Sequence, residues 1–459
     1  MSIPLEKHKK YKNSYGKNEL YWGLGIEEET YLQFSKPIYV ASSIIKSCHK
    51  AERYSVRYFS NYKPFYTKEL EFNFTKPFYP LPFFFNAHAF LKMDVKNQHK
   101  TTYEKNPKPN TNFSGQTFFE ELQSWKPEYF VTEYEKSFLF DGDTLEFMTQ
   151  NFYKAKAKDV IGELVNYKKQ FLTFLNEFCK QKKLHSEKGE FIYPPINPGL
   201  VVHFSNPGNI SVFNNGTYHI NITLPTFLDD SGAINKPELF REIHQKYIRL
   251  VQWLQPFLVA EFGTSDPFSE QSERYSKSSQ RVAVSRYISL GTFDTELMSE
   301  GKCNTLPITN ISGTDSEFWW YKLYHKLSGY VPLDIVGLDI NYKKHFSHGC
   351  EFRFFDWFPE SELYRLTEAL VYIAVCSQNI PLTPVPIKSE SWNEFVIGVM
   401  VDGQDYKIPL HIRALYEKIL QVELYDFKDL TVKGMYEHIL KSLKKKYESD
   451  FLTKCFLVN

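Results

Sequence analysis

Gly25-Ile26-Glu27-Glu28-Glu29-Thr30-Tyr31-Leu32 places three consecutive carboxylates inside a run that otherwise reads as a buried β-strand. A strand sends successive side chains to opposite faces, so Glu27 and Glu29 share one face and Glu28 takes the other. Two carboxylates about 7 Å apart on one strand face repel each other, and no Lys or Arg lies close by in the sequence to relieve them. Such a face suits water, or a cation bound against it. Oxygen donors at this spacing fit Mg²⁺ or Mn²⁺ better than a thiolate-seeking metal. A solvated edge strand explains the same letters, so the weight falls on what recurs downstream.

The strand belongs to a chain of 459 residues, enough for two or three domains or for one large sheet-and-helix domain with additions. Lys+Arg 55 against Asp+Glu 54 gives a net charge of +1, so no overall field draws nucleic acid or an anionic membrane. Local positive charge gathers at Lys7–Lys17 and Lys441–Lys446, which read as solvated ends. The 40 Phe and 31 Tyr lie beside apolar patterns rather than in a basic groove, which assigns them to packing. Cys48, Cys179, Cys303, Cys350, Cys376 and Cys455 are dispersed, with no C-x-x-C pair. With no secretory leader and no apolar run of about 18 residues, the expectation is a reduced, cytoplasmic protein. Neither nucleic acid nor membrane is expected as a partner, and assembly into homo-oligomers is left open.

Taken in order, residues 1–20 read as a Lys-, Tyr- and Asn-rich tail. Ser42–Ser47 has the spacing of a short helix, Tyr54–Phe74 alternates like paired strands, and Asn97–Asn112 is a polar, turn-rich loop. Strands are predicted at Tyr129–Thr132, Phe138–Phe140 and Thr144–Thr149, the last two joined by an Asp141-Gly142-Asp143 turn. Apolar spacing over Ile161, Leu164, Phe171, Leu175 and Phe178 predicts a helix at 157–182. Gly216–Thr223 reads as a strand bounded by Pro225, and Pro237 opens a helix carrying Phe240, Ile243, Tyr247, Leu250 and Leu254 on one stripe. Gly349–Asp356 reads as a strand that passes through Pro359 into a helix bearing Leu363, Leu366, Leu370 and Ile373. Pro381, Pro384 and Pro386 form a linker into a mostly helical C-terminal extension, 381–459.

Four of these strand segments carry polar residues where a core face wants apolar ones: Glu27/Glu29, Glu146, His219/Asn221 and Glu351/Arg353. Period two puts His219 with Asn221, and Glu351 with Arg353, on common faces. Each has a bland explanation. A lone His219 is commonly a hydrogen-bonded core histidine, Glu351 with Arg353 a surface ion pair, and Glu146 beside Asp141 and Asp143 simple turn chemistry. Taken jointly, a carboxylate-rich face with one His and several Arg is what a metal–nucleotide site needs. There cations neutralise phosphate charge, and Arg grips oxyanions with two parallel donors.

Gly25-Ile26-Glu27-Glu28-Glu29 resembles the G-[IV]-E-x-E strand of the glutamine synthetase-like carboxylate–amine ligases, in particular the glutamate–cysteine ligase-like branch. Leu145-Glu146-Phe147-Met148-Thr149 is similar to that branch's E-[FLI]-x-T strand, His219-Ile220-Asn221 to its H-[VI]-[NH] strand, and Glu351-Phe352-Arg353-Phe354-Phe355-Asp356 to its E-x-R-x-x-D segment. The order and spacing match over 21–380, which the resemblance makes the catalytic domain. It implies an α+β fold, with a curved, mostly antiparallel sheet backed by helices. It further implies a reaction in which the γ-phosphate of ATP passes to a carboxylate, that of glutamate above all, before an amine attacks. By the same resemblance Glu29 and Glu146 hold one Mg²⁺ (or Mn²⁺). Glu27, His219 and Glu351 hold another beside the ATP phosphates, with Asn221 next to them. Arg353 faces the carboxylate or transferred phosphoryl, and Arg281 and Arg286 act as clamps. Glu69-Leu70-Glu71 with Thr75 also resembles the E-x-T strand with one extra residue, so a contribution from Glu71 stays open. The alternatives are phosphoryl transfer to a guanidinium, as in related guanidino kinases, and an inactive relative acting as a scaffold. The identity of the amine is not legible.

Overall fold

Leu20–Thr30 forms β1, eleven residues whose even-numbered side chains are apolar or buried and whose odd-numbered ones include Gly23 and Gly25. The computed structural model describes residues 20–36, 38–39, 80–81, 118–130, 137–141, 144–183, 189–197, 216–229, 233–264, 278–279, 291–294, 339–342, 349–424 and 430–458. Two short ribbons pair β2 (Gln33–Phe34) with β7 (Phe191–Ile192) and β3 (Ile38–Tyr39) with β4 (Pro80–Leu81). The principal sheet has six strands: β1, β5 (Phe138–Asp141), β6 (Thr144–Met148), β8 (Tyr218–Phe227), β9 (Ile340–Tyr342) and β10 (Cys350–Phe352). Their order is β5-β6-β1-β8-β10-β9, and every neighbouring pair is antiparallel. With β6 on one side and β8 on the other, β1 is a central strand, which overturns the solvated-edge explanation of its carboxylates.

One face of the sheet is apolar: Leu24 and Ile26 of β1, Leu145 and Phe147 of β6, Ile220, Ile222 and Leu224 of β8, and Phe352 of β10 are all buried. Helices cover it. These are α2 (Ala157–Gln181) and α3 (Pro237–Phe262), with α4 (Leu363–Gln378) packed on both. Full burial of each such aliphatic or aromatic side chain contributes about 1.5–3 kcal/mol, so this face outweighs local strand preference. The predicted helices at 157–182, from Pro237 and after Pro359 are all present, the first two within a few residues of their expected starts.

Three strand expectations are corrected. Tyr129 and Phe130 are not strand: they follow α1 (Phe118–Trp125) in a turn, both N–H groups bonding to the Lys126 carbonyl at 3.1 Å. Their rings pack on Phe171, Phe174 and Phe138, so the apolar letters serve an aromatic cluster rather than a ladder. Regular pairing in β10 stops at Phe352, although the Arg353 N–H still reaches the Asp339 carbonyl at 2.8 Å. Lastly, β8 does not stop at Pro225. Gly23 pairs with Thr223 but Tyr21 pairs with Thr226, a one-residue shift that bulges Leu224 and Pro225 opposite Trp22. Proline has no N–H to lose from the ladder. The Leu224 N–H leaves it too, and donates to Nε2 of His244 on α3 at 2.9 Å.

The C-terminal helices are α5 (Glu390–Asp402), α6 (Leu410–Leu420), α7 (Val432–Tyr447) and α8 (Phe451–Phe456). They continue the same hydrophobic core against α3 and α4. Trp253 of α3 is the junction. Its Nε1–H donates to the Pro384 carbonyl, while its own carbonyl accepts from Trp392 Nε1 at 3.3 Å and the Tyr416 hydroxyl at 2.6 Å. The tail up to residue 19, Ser42–Ser47, Tyr54–Phe74 with Glu71, the 97–112 loop, Arg281 and Arg286 lie outside the described residues. Among the described residues no helix is long and apolar enough to cross a membrane.

Candidate functional site

Register assembles the second face of the sheet. Glu27 is opposite His219, Glu29 opposite Glu146, and Gly25 opposite Asn221. Asn221 is opposite Glu351, and Glu351 opposite Asn341. Period two adds Arg353 after Glu351 and Asp339 before Asn341. Glu29, His219, Asn221, Glu351, Arg353, Asp339 and Asn341 are all buried, whereas Glu27 and Glu146 are partly exposed. A polar row across five neighbouring strands is thus confined to one face, opposite the apolar one.

His219 is the centre of this row. Its Nδ1 lies 3.4 Å from Glu27 Oε2 and 3.9 Å from Glu351 Oε1. Its Nε2 lies 3.6 Å from Glu29 Oε1 and 3.3 Å from the Thr217 hydroxyl. Burial, followed by the Arg353 guanidinium, lowers the His219 pKa to about 4, with Glu27 and Glu351 pulling the other way. The imidazole is therefore neutral at pH 7. In the tautomer with its proton on Nε2, the Nδ1 lone pair faces Glu27 and Glu351. Single ligand atoms from Glu27, His219 and Glu351 all fall within 4.8 Å of one another. An octahedral ion with bonds near 2.1 Å separates its donors by about 3.0 Å (cis) or about 4.2 Å (trans), so small side-chain adjustments would seat it. Two carboxylates and a neutral imidazole fit Mg²⁺, Mn²⁺ or a related divalent ion.

Of the residues the sequence singles out, Glu27, Glu29, His219, Asn221, Glu351 and Arg353 are brought together. Glu146 joins through its cross-strand pairing with Glu29, outside the three-ligand group. Asn221 donates Nδ2–H to Glu27 Oε1 at 3.1 Å. Arg353 Nε lies 3.9 Å from Glu351 Oε1, and Asp356 accepts from the Ser279 hydroxyl at 2.6 Å.

Sequence reading missed Asn341, whose Nδ2–H donates to Glu351 Oε2 at 2.9 Å. The alternation in Asp339-Ile340-Asn341-Tyr342 is the signal, but a strand of three residues is too short to stand out. It also missed the partner of Glu28. On the apolar side, Lys168 of α2 donates to Glu28 Oε1 at 2.9 Å, with Oε2 of the same carboxylate 2.7 Å from its ammonium nitrogen, and it pairs with Glu360 at 2.5 Å. Lys168 lies four residues after Leu164 on the buried stripe of α2, which is the position that betrays it. Burial works against its charge, yet Glu28 and Glu360 more than offset that and raise its pKa.

Fold and face together define an α+β protein whose central antiparallel sheet carries a buried carboxylate–imidazole–guanidinium row. No protein-family model matches the chain, and no solved structure matches it. An uncharacterized protein of Acanthamoeba polyphaga mimivirus, R704, is 35% identical over 449 residues, covering 97% of this chain and 78% of that protein. The chain belongs to the family of that viral protein.

Proposed function

We propose that the chain is an ATP- and Mg²⁺-dependent (or Mn²⁺-dependent) carboxylate–amine ligase of the glutamine synthetase-like type, with the γ-carboxylate of glutamate as acceptor. The observation that carries this reading is the convergence of Glu27, His219 and Glu351 beside Arg353 on one face of an antiparallel sheet. In the first step a carboxylate oxygen of the substrate attacks the γ-phosphorus of ATP, the bond to the β,γ-bridging oxygen breaks, and ADP leaves. In the second an amine attacks the acyl carbon, loses a proton and expels inorganic phosphate, giving an amide. A bound divalent ion would neutralise phosphate charge in the first step. Glu27, His219 and Glu351 would hold it, and Glu29 with Glu146 would hold a second. Arg353 would direct its guanidinium at the oxyanion being transferred.

Phosphoryl transfer to a guanidinium, where it calls for an activated thiolate, finds no support among the described residues; Cys48 and Cys303 lie outside them. Cys179, Cys350, Cys376 and Cys455 are buried, and burial pushes each thiol up, the reverse of activation.

The test is release of ADP and phosphate from ATP plus glutamate across a panel of amines, with the product identified by mass. Arg353→Lys keeps the charge but loses the planar fork. It should lower kcat/KM about 100-fold or more, equivalent to about 2.7 kcal/mol, mostly in kcat. A wild-type protein that releases no ADP with any carboxylate–amine pair would leave the scaffold reading in its place.

A further inference from the structure

The two carboxylates of the three-ligand group are held in matching ways. Glu27 presents Oε1 to the Asn221 amide at 3.1 Å and Oε2 to His219 Nδ1 at 3.4 Å. Glu351 presents Oε2 to the Asn341 amide at 2.9 Å and Oε1 to the same Nδ1 at 3.9 Å. Each carboxylate thus has one oxygen engaged by a carboxamide and one oxygen turned toward the shared nitrogen. Both carboxamides are buried, Asn341 completely, and they stand on β8 and β9, outside the strands that bear the carboxylates they grip. A grip from a neighbouring strand resists rotation of the carboxylate about its terminal torsion, which is otherwise soft.

We infer that Asn221 and Asn341 make this centre selective for a small octahedral cation over Ca²⁺. The inference rests on the metal reading above. A carboxylate with one oxygen fixed in a hydrogen bond offers a single oxygen to an ion. Mg²⁺ and Mn²⁺ accept single-oxygen ligation and near-ideal octahedral geometry. Ca²⁺ gathers six to eight oxygens at about 2.3–2.6 Å, commonly with carboxylates contributing both of theirs. Two carboxylates restricted to one oxygen each, plus one imidazole, give Ca²⁺ three donors, one of them a nitrogen it does not favour. Asn341 Oδ1 accepts no hydrogen bond among the described residues. Buried beside Glu351, it can accept a hydrogen bond from a water bound to such an ion. Hydrogen-bond partners of metal ligands typically set affinity by about 10–100-fold, which is the scale expected here.

The experiment titrates the full chain with Mn²⁺ alone, reading free Mn²⁺ by electron paramagnetic resonance, and then displaces it with Mg²⁺ or Ca²⁺. Wild-type protein should bind Mn²⁺, and Ca²⁺ should displace it far less readily than Mg²⁺ does. Asn341→Leu, which keeps the branching at Cγ but removes the donor, should weaken Mn²⁺ about 10-fold or more while Ca²⁺ loses less, narrowing the preference. Asn221→Ala should do the same through Glu27, and it carries the test if Asn341→Leu does not fold. Equal weakening of both ions, the signature of a merely structural amide, would overturn the inference and leave the ligase proposal standing. A wild-type protein that binds no Mn²⁺ would instead remove the metal reading on which both depend.

Discussion

Lys168→Met removes the only cation bonded to Glu28 on the apolar side of β1 among the described residues, at nearly constant side-chain length. The gross attraction follows from the 2.7 Å Nζ–Oε2 separation. At an effective dielectric of about 20 it is about 6 kcal/mol, most of it offset by the desolvation of both groups. Deleting one partner keeps the desolvation and loses the attraction, so the expected cost is about 3–5 kcal/mol. Glu28→Gln should cost only about 1–2 kcal/mol, because Glu360 still holds Lys168 and a Gln oxygen can still accept its bond. The double variant Glu28→Gln/Lys168→Met should then cost no more than Lys168→Met alone, since no buried charge is stranded. Urea denaturation of the four proteins at pH 7 measures this cycle directly. A Lys168→Met cost below about 1 kcal/mol, or costs that simply add, would refute a buried charge latch. The latch matters to the site because Glu28 stands between Glu27 and Glu29. Anchoring it to α2 fixes the face to which its neighbours point.

Three further outcomes follow from individual contacts. His244 donates from Nδ1 to the Phe240 carbonyl and accepts the Leu224 N–H at Nε2, and burial lowers its pKa from 6.5 to about 4. The unfolded chain therefore binds the extra proton first. Stability present above pH 6.5 should fall by up to about 3 kcal/mol as pH drops through 4. His244→Gln should flatten that slope in urea midpoints taken between about pH 7 and 4, with the His219 contribution common to both proteins. In Gly349→Ala the new Cβ would run into the His244 imidazole and lie 2.6 Å from the Ile222 carbonyl, so a cost of about 2–3 kcal/mol is expected in thermal melts. Gly25→Ala, whose nearest neighbour would be at 3.4 Å, is the tolerated control. In Thr149→Val the Ile26 N–H loses an acceptor at 3.0 Å, which should cost about 1–2 kcal/mol at unchanged shape.

The parts of this fold that could be read from the letters are those governed by one period. Alternation separates Glu27 and Glu29 from Glu28, and it puts His219 with Asn221, because side-chain direction in a strand is a local property. The 3.6-residue stripe does the same for α2, and Pro237 marks the start of α3. What could not be read depends on partners far away in sequence. Nothing local tells that β1 lies between β6 and β8, and the surface explanation of its charges stays available until that is known. Nor does anything local tell that the chain passes Pro225 in a bulge, since the compensation is the imidazole of His244, twenty residues on from Leu224. Tyr129 and Phe130 mislead for the same reason. Their apolar letters satisfy an aromatic cluster on α2, and a two-residue alternation cannot separate that from a ladder.

If the proposed metal reading holds, the two sides of β1 separate a structural carboxylate from a ligand. Glu28 turns both oxygens to one ammonium group, at 2.9 and 2.7 Å, and that ammonium is shared with Glu360. Folding itself supplies the counter-charge of such a group, so a cation there would have to displace a buried ammonium. Glu27 and Glu351 instead divide their oxygens, one on a carboxamide and one toward the Nδ1 of an imidazole kept neutral by burial. On the proposed metal reading, the longer separations of 3.4 and 3.9 Å to that nitrogen leave room for a cation between these donors. On that distinction Glu27→Gln and Glu28→Gln, neighbours on one strand with the same chemical change, should separate cleanly. The first should lower Mn²⁺ affinity with little effect on urea stability, and the second should lower stability with little effect on Mn²⁺ affinity. The reverse pattern, or the same pattern for both, would mean that the two faces of the sheet do not divide the work in this way.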